Sequence, residues 1–416
     1  MRISRPQDVE FLALEGGGGK GVTYLGAVRA LEQLGVLPID INRPGSNQIK
    51  GISGASAGAI TALMLAMGLD SAELQRMLSN SSTFTGFFDA PRPGIYRVVN
   101  RRNEPQMAHD APAGTSVPDF IAARRRSISG WSHLAAMFST LVSGGAFGSV
   151  RDPMVAQLLR HPESYLYNLV FDRGLFPGFA PRNFITGCVA GYLSQRIMQM
   201  TGGVIVSNAG WMSFSQFFNL TGVDLILTGA NTSTNRPAVF SRHHTPDFPV
   251  AEAVGISMNL PFIFKPVKVE ANVPTGRYNQ NTHDYHGRWV DGGILNNFPL
   301  HAFDAAGPAV STSHPNLRPL NPKILGLRLT EGPTAGSTSA TTGTFSVLLE
   351  HIGNVVNTIL YPSEQGQIRT PDEAEQSIDL YTYNLQTTNF APTAQQQAVP
   401  VREAERAVLN YFSAGP

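Results

Sequence analysis

The chain has 416 residues, 42% of them hydrophobic, which is enough to bury a full core in one large domain or two ordinary ones. Its formal net charge of +1 at pH 7 gives no overall attraction to nucleic acid, so we expect no nucleic acid polymer among its partners. A single cysteine, Cys188, excludes an internal disulfide bond and fits a reducing compartment.

The N-terminal segment, MRISRPQDVEFLALEGG, does not resemble a signal peptide because Asp8 and Glu10 interrupt its short apolar run. The longest apolar window, residues 57–69, is shorter than the roughly 20 residues that a membrane-spanning helix needs. We interpret this window as a buried helix. We therefore expect a cytoplasmic protein, and secretion by a route without a signal peptide stays open.

Two strand-and-helix units begin the chain. Residues 9–14, VEFLAL, form a short apolar run that ends at glycines and predict a buried strand, and apolar residues at helical spacing predict a helix over 22–35. Residues 49–53 then predict a second strand, and 56–67 a second helix. Two such units indicate a parallel sheet, which the apolar runs at 223–230 and 323–330 extend.

The remaining segments are longer and less regular. Residues 85–220 mix proline-rich and arginine-rich turns with apolar stretches, which predicts a largely helical insertion or cap. After a Ser/Thr/Gly linker at 335–345, the pattern predicts helices over 345–360 and 401–412. We expect one domain over 1–334 that carries the insertion, and a C-terminal helical extension over 335–416 packed on it.

A glycine-rich loop, EGGGGKG at 15–21, joins the first strand to the first helix. Its spacing fits neither a P-loop, because Lys20 is followed by Gly21, nor the GxGxxG pattern of a dinucleotide site. Its backbone N–H groups could instead stabilise the negative charge of a transition state, as in an oxyanion hole. That function requires a nucleophile.

Residues 54–58, GASAG, supply a candidate nucleophile in Ser56. They form a GxSxG motif between a predicted strand and a predicted helix, which is the setting of a nucleophile elbow. The structural alternative is an ordinary tight turn. A second motif, DGG at 291–293, follows a short apolar stretch, and by itself it predicts an Asp-Gly turn between strands.

Taken together, these segments resemble the patatin-like phospholipases. The signature of that family is a glycine-rich loop, then GxSxG, then DGG, and this chain has them in that order at 16–21, 54–58 and 291–293. The segment 256–264, ISMNLPFIF, and the residues Asn297 and Pro299 also resemble the family's pattern.

The resemblance implies a three-layer α/β/α fold with a mainly parallel central sheet and a largely helical insertion. It implies a catalytic dyad of Ser56 and Asp291, and an oxyanion hole formed by Gly17, Gly18 and Gly19. A departure at Glu15, where many members have aspartate, removes no N–H donor. The motif residues that support the dyad and the loop are Gly16, Lys20, Gly21, Gly54, Gly58, Gly292 and Gly293.

The resemblance further implies a lipid acyl hydrolase of the phospholipase A type, acting peripherally at membranes on phospholipids through an acyl-enzyme intermediate. This chemistry requires no metal and no cofactor. Bacterial members of the family include secreted toxins activated by a host protein and antiphage effectors activated by a cyclic nucleotide. A cyclic-nucleotide or protein activator is therefore left open here, as is the oligomeric state.

Two rival interpretations stay open. A carboxylesterase with a Ser-His-Asp triad also uses GxSxG and would draw its histidine from His301 or His351, with Asp304 as the acid. A patatin fold that has become a non-enzymatic binding protein is the other.

Two further groups of residues could suggest ligands. Solvated loop histidines are a better explanation than a metal site for the group His243, His244, His283 and His286. Arginines at 101–102 and 124–126 could meet lipid phosphates, although solvated loop charges are the commoner outcome.

Overall fold

The computed structural model describes residues 2–79, 86–143, 153–200, 202, 209–270, 285–304, 320–331, 370–383, 385 and 392–413. The predicted helix over 345–360 and the linker before it lie outside these residues, as do His283 and His351. The described parts form a mixed α/β fold around one large sheet, as the sequence predicts.

Strands alternate with helices through the first and last parts of the chain. The strands are β1 (Phe11–Leu14), β2 (Gly51–Gly54), β3 (Ile95–Val99), β4 (Pro105–His109), β5 (Gly174–Phe176), β6 (Asp224–Asn231), β7 (Arg236–Phe240), β8 (Phe262–Phe264), β9 (Val267–Val269), β10 (Gly287–Asp291), β11 (Ile324–Thr330) and β12 (Ser377–Tyr381). The four strands predicted from apolar runs correspond to β1, β2, β6 and β11, which confirms those predictions.

The helices are α1 (Tyr24–Gln33), α2 (Ala57–Ala66), α3 (Ser71–Ser79), α4 (Val117–Arg126), α5 (Trp131–Ser143), α6 (Pro153–Arg160), α7 (Pro162–Asp172), α8 (Phe179–Met200), α9 (Phe214–Thr221), α10 (Val250–Ser257), α11 (Gly293–Asn296), α12 (Pro371–Glu375) and α13 (Ala394–Ser413). A 3-10 helix, Gly18–Thr23, links the glycine loop to α1. Helices α1 and α2 confirm the two helices predicted near the N-terminus.

The central sheet has ten strands in the order β12-β11-β1-β2-β6-β10-β9-β3-β4, and β7 pairs with β6. From β12 to β6 all neighbours are parallel, whereas β10 pairs antiparallel with both β6 and β9. Strand β1 is buried between β2 and β11, and its run of apolar residues reflects burial on both faces. The carboxyl ends of β1 and β2 lie side by side at the centre of the sheet.

The insertion has helices over most of its described length and also contains three strands that its sequence does not predict. Strand β3 joins the central sheet by pairing in parallel with β9. Helices α5, α6 and α7 share a separate hydrophobic cluster built around Trp131, Tyr165 and Phe176. Leu260 and Phe264, which follow α10, belong to this cluster and connect the insertion to the sheet.

The C-terminal region contributes both a strand and a helix. Strand β12 extends the sheet by pairing in parallel with β11, an element that the sequence analysis missed in a polar segment. Helix α13 confirms the predicted terminal helix but begins seven residues earlier, at Ala394, and contains Pro400. It packs along α1 and buries Val401, Ala404 and Val408 there.

None of the helices in the described part of the chain combines the length and the apolar character needed to cross a bilayer.

The close contact between α1 and α13 depends on Gly26. A Cβ at this position would overlap the Val401 carbonyl and lie 2.9 Å from Glu405 N. Because these atoms belong to the backbone and cannot rotate away, we expect Gly26→Ala to lower the free energy of unfolding by about 1–3 kcal/mol in urea denaturation.

Gly187, on the exposed side of α8, provides the matched control. A Cβ there would meet nothing within 4 Å, so Gly187→Ala should raise the free energy of unfolding by up to about 1 kcal/mol through helix propensity. A Gly26→Ala protein as stable as Gly187→Ala would contradict the tight packing of α13 on α1.

Candidate active site

Ser56 lies at the sharp turn between β2 and α2. Its backbone has φ +49° and ψ −120°, a conformation that costs a non-glycine residue about 1–3 kcal/mol and that clusters at functional sites. The Ser56 N–H donates to Ser257 Oγ over 3.1 Å, which ties the turn to the end of α10. Ser56 lines an apolar groove, and a strained serine between a strand and a helix is the setting of a nucleophile elbow.

Asp291 is the last residue of β10 and is completely buried. Its Oδ1 accepts a hydrogen bond of 2.7 Å from the Gly293 N–H. Burial raises the pKa of the carboxyl to about 7, against the opposing effects of the Ser56 side chain and the Gly293 N–H. The Asp291 carboxyl therefore binds a proton about as well as an ordinary histidine does.

Ser56 and Asp291 lie next to each other although 235 positions separate them in the sequence. The Ser56 side chain is close enough to lower the pKa of the Asp291 carboxyl. Asp291 Oδ2 nevertheless makes no hydrogen bond of standard geometry with any described residue, so the approach is close without being ideal. Loose hydrogen bonds of this kind are common in active sites without substrate.

The glycine loop borders this pair. Gly18, with φ +52°, and Gly19 line the same groove as Ser56. The N–H groups of Gly17, Gly18 and Gly19 donate no hydrogen bond to any residue that the structure describes. Gly17 is the residue before the Gly18–Thr23 helix, and Gly18 and Gly19 are its first two residues, so these donors lie at the end of a helix that favours negative charge.

Asn297 holds the glycine loop against the segment that carries Asp291. Its backbone oxygen accepts from the Gly16 N–H over 2.9 Å, and its Nδ2 donates to the Gly16 carbonyl over 3.2 Å. A Cβ on Gly16 would overlap Asn297 Oδ1 and lie 3.0 Å from Ser56 Cβ. A residue larger than glycine at position 16 would therefore displace the Asn297 side chain that holds the loop.

The other motif residues have structural positions around the pair. Close packing against backbone atoms explains Gly54, Gly58 and Gly292, because a Cβ on each would overlap Gly58, Leu14 and Thr228 respectively. A Cβ on Gly21 would lie 2.8 Å from Ala57 Cβ.

Lys20, the basic residue of the loop, is buried and pairs with Glu331 over 3.1 Å at the end of β11. That ion pair favours a role in holding the loop.

An apolar groove leads away from Ser56. It encloses about 940 Å³ of empty space, including its open mouth. Its lining includes residues of α2 from Ala57 to Met64 and, from other elements, Phe184 and Met258. The remaining lining residues are Gly18, Gly19, Gly21, Val22, Tyr24, Leu25, Ala57, Ile60, Thr61, Leu74, Met77, Phe87, Leu260, Pro392 and Gln397. This shape and lining suit a hydrocarbon chain.

A buried ionic network contacts Asp291 through Asn259. The Asp291 N–H donates to the Asn259 carbonyl over 3.0 Å, and Asn259 Oδ1 accepts from Arg97 Nη2 over 2.6 Å. Arg97 and Arg182 each approach the buried Glu252 at 3.8–3.9 Å. Sequence reasoning missed this network, because Arg97 lies in an unpredicted strand and nothing in its spacing marks it.

Both ring nitrogens of His301, the described histidine of the alternative triad, are engaged by carboxylates. Its Nδ1 lies 2.7 Å from Asp304 Oδ2 and its Nε2 lies 2.6 Å from Glu373 Oε1. These two carboxylates raise the pKa of His301 to about 9, so the ring is protonated near neutral pH. A protonated ring with both nitrogens engaged cannot take a proton from Ser56.

The candidate metal-binding histidines do not converge either. His244 Nδ1 lies 2.8 Å from Ser241 Oγ, and burial lowers its pKa to about 4. His243 approaches Asp224 at 3.5 Å. Among the described residues, no group of three or more His, Cys, Asp or Glu side chains is arranged to hold a metal ion.

The raised pKa of Asp291 has a consequence for stability. Between the ordinary value of 3.8 and about 7 the carboxyl is ionised in the unfolded chain and protonated in the folded one, so its contribution to stability falls as pH rises through this window. Replacing it by neutral asparagine removes that loss. We expect Asp291→Asn to exceed the wild type in free energy of unfolding by up to about 4 kcal/mol at pH 8, and by much less at pH 4.

Urea denaturation at pH 4, 6 and 8 measures this difference, with Asp304→Asn as a control at a carboxylate that is paired with His301. A stability difference between Asp291→Asn and wild type that does not change with pH would show that the Asp291 carboxyl titrates in its ordinary range.

Comparison with known proteins identifies the family of the chain. The family model described as patatin-like phospholipase matches residues 12–304. The probable lipid hydrolase 463L of Invertebrate iridescent virus 6 is 30% identical over 89 residues, which are 21% of this chain and 26% of the viral protein. The chain therefore matches about a quarter of the length of that relative.

Solved structures with a similar fold include VipD from Legionella pneumophila and the ExoU–SpcU complex from Pseudomonas aeruginosa. VipD has a TM-score of 0.47 and 17% identity, with 98% of this chain and 67% of VipD covered. The ExoU–SpcU match has a TM-score of 0.37 and 18% identity, with 99% of this chain and 52% of the other covered. Because the family model matches well over half of the chain, the protein belongs to the patatin-like phospholipase family.

Proposed function

We propose that the protein is a lipid acyl hydrolase of the phospholipase A type that cleaves fatty acyl esters of membrane phospholipids. The observation that carries this proposal is the meeting of a strained Ser56, which lines an apolar groove, with a fully buried Asp291. Gly18 and Gly19 of the glycine loop line the same groove, so the nucleophile and two oxyanion donors face one space and the base lies buried beside the nucleophile.

In the first step, ionised Asp291 accepts the proton of the Ser56 hydroxyl while Oγ attacks the ester carbonyl carbon. A base with a pKa of about 7 is well matched to this task near neutral pH. The negative charge that forms on the carbonyl oxygen is stabilised by the N–H groups of Gly17, Gly18 and Gly19. Collapse of the tetrahedral intermediate breaks the ester bond, and the leaving alcohol, a lysophospholipid, takes the proton from Asp291.

In the second step, Asp291 accepts a proton from water as the water oxygen attacks the acyl-Ser56 ester. A second oxyanion forms in the same place and collapses to release the fatty acid. The proton then returns from Asp291 to Ser56 Oγ, which restores the starting state. No metal ion or cofactor takes part in this cycle.

The apolar groove supports an acyl chain as the part of the substrate that is recognised. Its side chains are mainly those of leucine, isoleucine, methionine and phenylalanine, which bind methylene groups at about 0.8 kcal/mol each. A long acyl chain therefore gains far more from this groove than a short one.

The triad alternative is disfavoured by the engagement of His301 with Asp304 and Glu373. We expect Ser56→Ala and Asp291→Asn each to lower the release of fatty acid from phospholipid vesicles by about 10³-fold or more. Because His301 has no part in the proposed cycle, His301→Gln combined with His351→Ala should retain activity within about threefold at a temperature where the variant is folded.

Mass spectrometry of the released lipids measures the rates, with circular dichroism to verify folding. Loss of activity in the histidine variant comparable to that of Ser56→Ala would refute the dyad. The expectation of a cyclic-nucleotide or protein activator stays a prediction, so the assay is repeated with a panel of cyclic nucleotides and with cell extract. Failure of the wild type under every condition would favour a non-enzymatic binding protein.

The pKa of Asp291 also sets the pH dependence of the reaction. Since the carboxyl must be ionised to accept the Ser56 proton, kcat/KM for an uncharged ester should rise with pH and level off above a midpoint near 7. Stopped-flow or plate-reader hydrolysis of p-nitrophenyl butyrate, corrected for spontaneous hydrolysis, gives this profile. A midpoint near pH 4 would contradict the proposed role of a desolvated base.

A further inference from the structure

The first turn of α13 borders the groove that begins at Ser56. Pro392 and Gln397 line it together with the glycine loop and α2. Both residues lie beyond residues 12–304, the part of the chain that the family model matches. A region outside the family's common domain therefore forms part of the wall of the candidate substrate site.

This turn has a defined local structure. The Thr393 N–H donates to Gln396 Oε1 over 2.8 Å, and the Gln396 N–H donates back to Thr393 Oγ1 over 3.3 Å. Such reciprocal bonds form a capping box that fixes the start of a helix. Gln397 Nε2 donates to the Pro392 carbonyl over 2.6 Å, which holds the glutamine side chain against the preceding turn.

Helix α13 is in turn fixed on α1. The two backbones are in close contact where Gly26 faces Val401 and Glu405, and Gln33 Nε2 donates to Glu405 Oε1 over 2.7 Å. Helix α13 also contacts the Gly18–Thr23 helix, which precedes α1. Gln397, one turn before Val401, therefore lies beside the Gly18–Thr23 helix that carries the candidate oxyanion donors.

We propose that Gln397 and Pro392 form part of the wall of the acyl groove and limit the length of acyl chain that the enzyme accepts. The inference rests on the proposed function. Both residues are half-buried, so the part of the wall that they form is partly open to solvent. The Gln397 amide is a polar part of a mainly apolar lining. Methylene groups of an acyl chain that lie against this amide gain little free energy from burial.

The test compares kcat/KM for p-nitrophenyl palmitate with that for p-nitrophenyl butyrate. Gln397→Trp fills the groove at this wall and should lower the palmitate-to-butyrate ratio of kcat/KM by about tenfold or more, because only the long chain needs the space that the indole takes. Gln397→Leu extends the apolar lining at nearly the same volume and should raise the ratio about threefold.

Val399→Trp is the matched control. Val399 lies two residues further on the same helix, about 200° around it from Gln397, and is 41% exposed. The Val399→Trp variant should have the same palmitate-to-butyrate ratio of kcat/KM as the wild type. A ratio that is the same in wild type, Gln397→Trp and Gln397→Leu, in proteins with unchanged melting temperatures, would overturn the inference while leaving the proposed hydrolysis intact.

Binding of a fluorescent C16 fatty acid to the Ser56→Ala protein tests the wall without catalysis. Adding Gln397→Trp to this background should weaken the affinity about tenfold, whereas adding Val399→Trp should not. If the wild type hydrolyses no ester but Gln397→Trp still weakens binding of the fatty acid, the proposed function is wrong and the position of Gln397 in the groove wall is supported. Equal affinity in all three proteins would refute the wall.

Discussion

A carboxyl group buried away from water is the constraint on which this structure depends. Asp291 is buried completely, and among the described residues the Ser56 side chain and the Gly293 N–H favour its charge against desolvation. Desolvation destabilises the folded protein when Asp291 is ionised, and it also makes the carboxylate a stronger base. The free energy of unfolding therefore falls as pH rises, whereas the proposed rate of hydrolysis increases. The strained backbone of Ser56 adds a second local cost at the same place.

The surrounding fold offsets these costs by fixing both residues from several sides. Ser257 holds the N–H of Ser56, and the carbonyl of Asn259 holds the N–H of Asp291. Asn297 ties the glycine loop to the Asp291 segment through two bonds to Gly16. Through Arg97, which binds Asn259, the insertion contributes to this frame. Parallel strands β1 and β2 bring the loop and the serine turn together because both turns leave the same edge of the sheet.

The sequence predicts the parts of the fold whose signal is local. Continuous apolar runs predict β1, β2, β6 and β11 because these strands are buried on both faces, and the motifs predict which loops carry chemistry. Strand β12 was missed because its sequence, SIDLY, lies in a polar segment and is stabilised by pairing with β11. The Arg97 network and the contact of Gln397 with the groove depend on residues far apart in the chain, which no spacing rule can connect. The early start of α13 was missed because Pro400 disfavours a helix interior, a local preference that packing on α1 overrides.

Whether Asp291 activates Ser56 can be measured directly as the rate at which a long-chain fluorophosphonate modifies the protein, followed by intact-mass and peptide mass spectrometry. We expect one adduct, on Ser56, with a rate that rises with pH about a midpoint near 7 and falls at least a hundredfold in Asp291→Asn. An adduct on another residue, or labelling of Ser56 that is as fast in Asp291→Asn as in wild type, would contradict the role of Asp291 as the base.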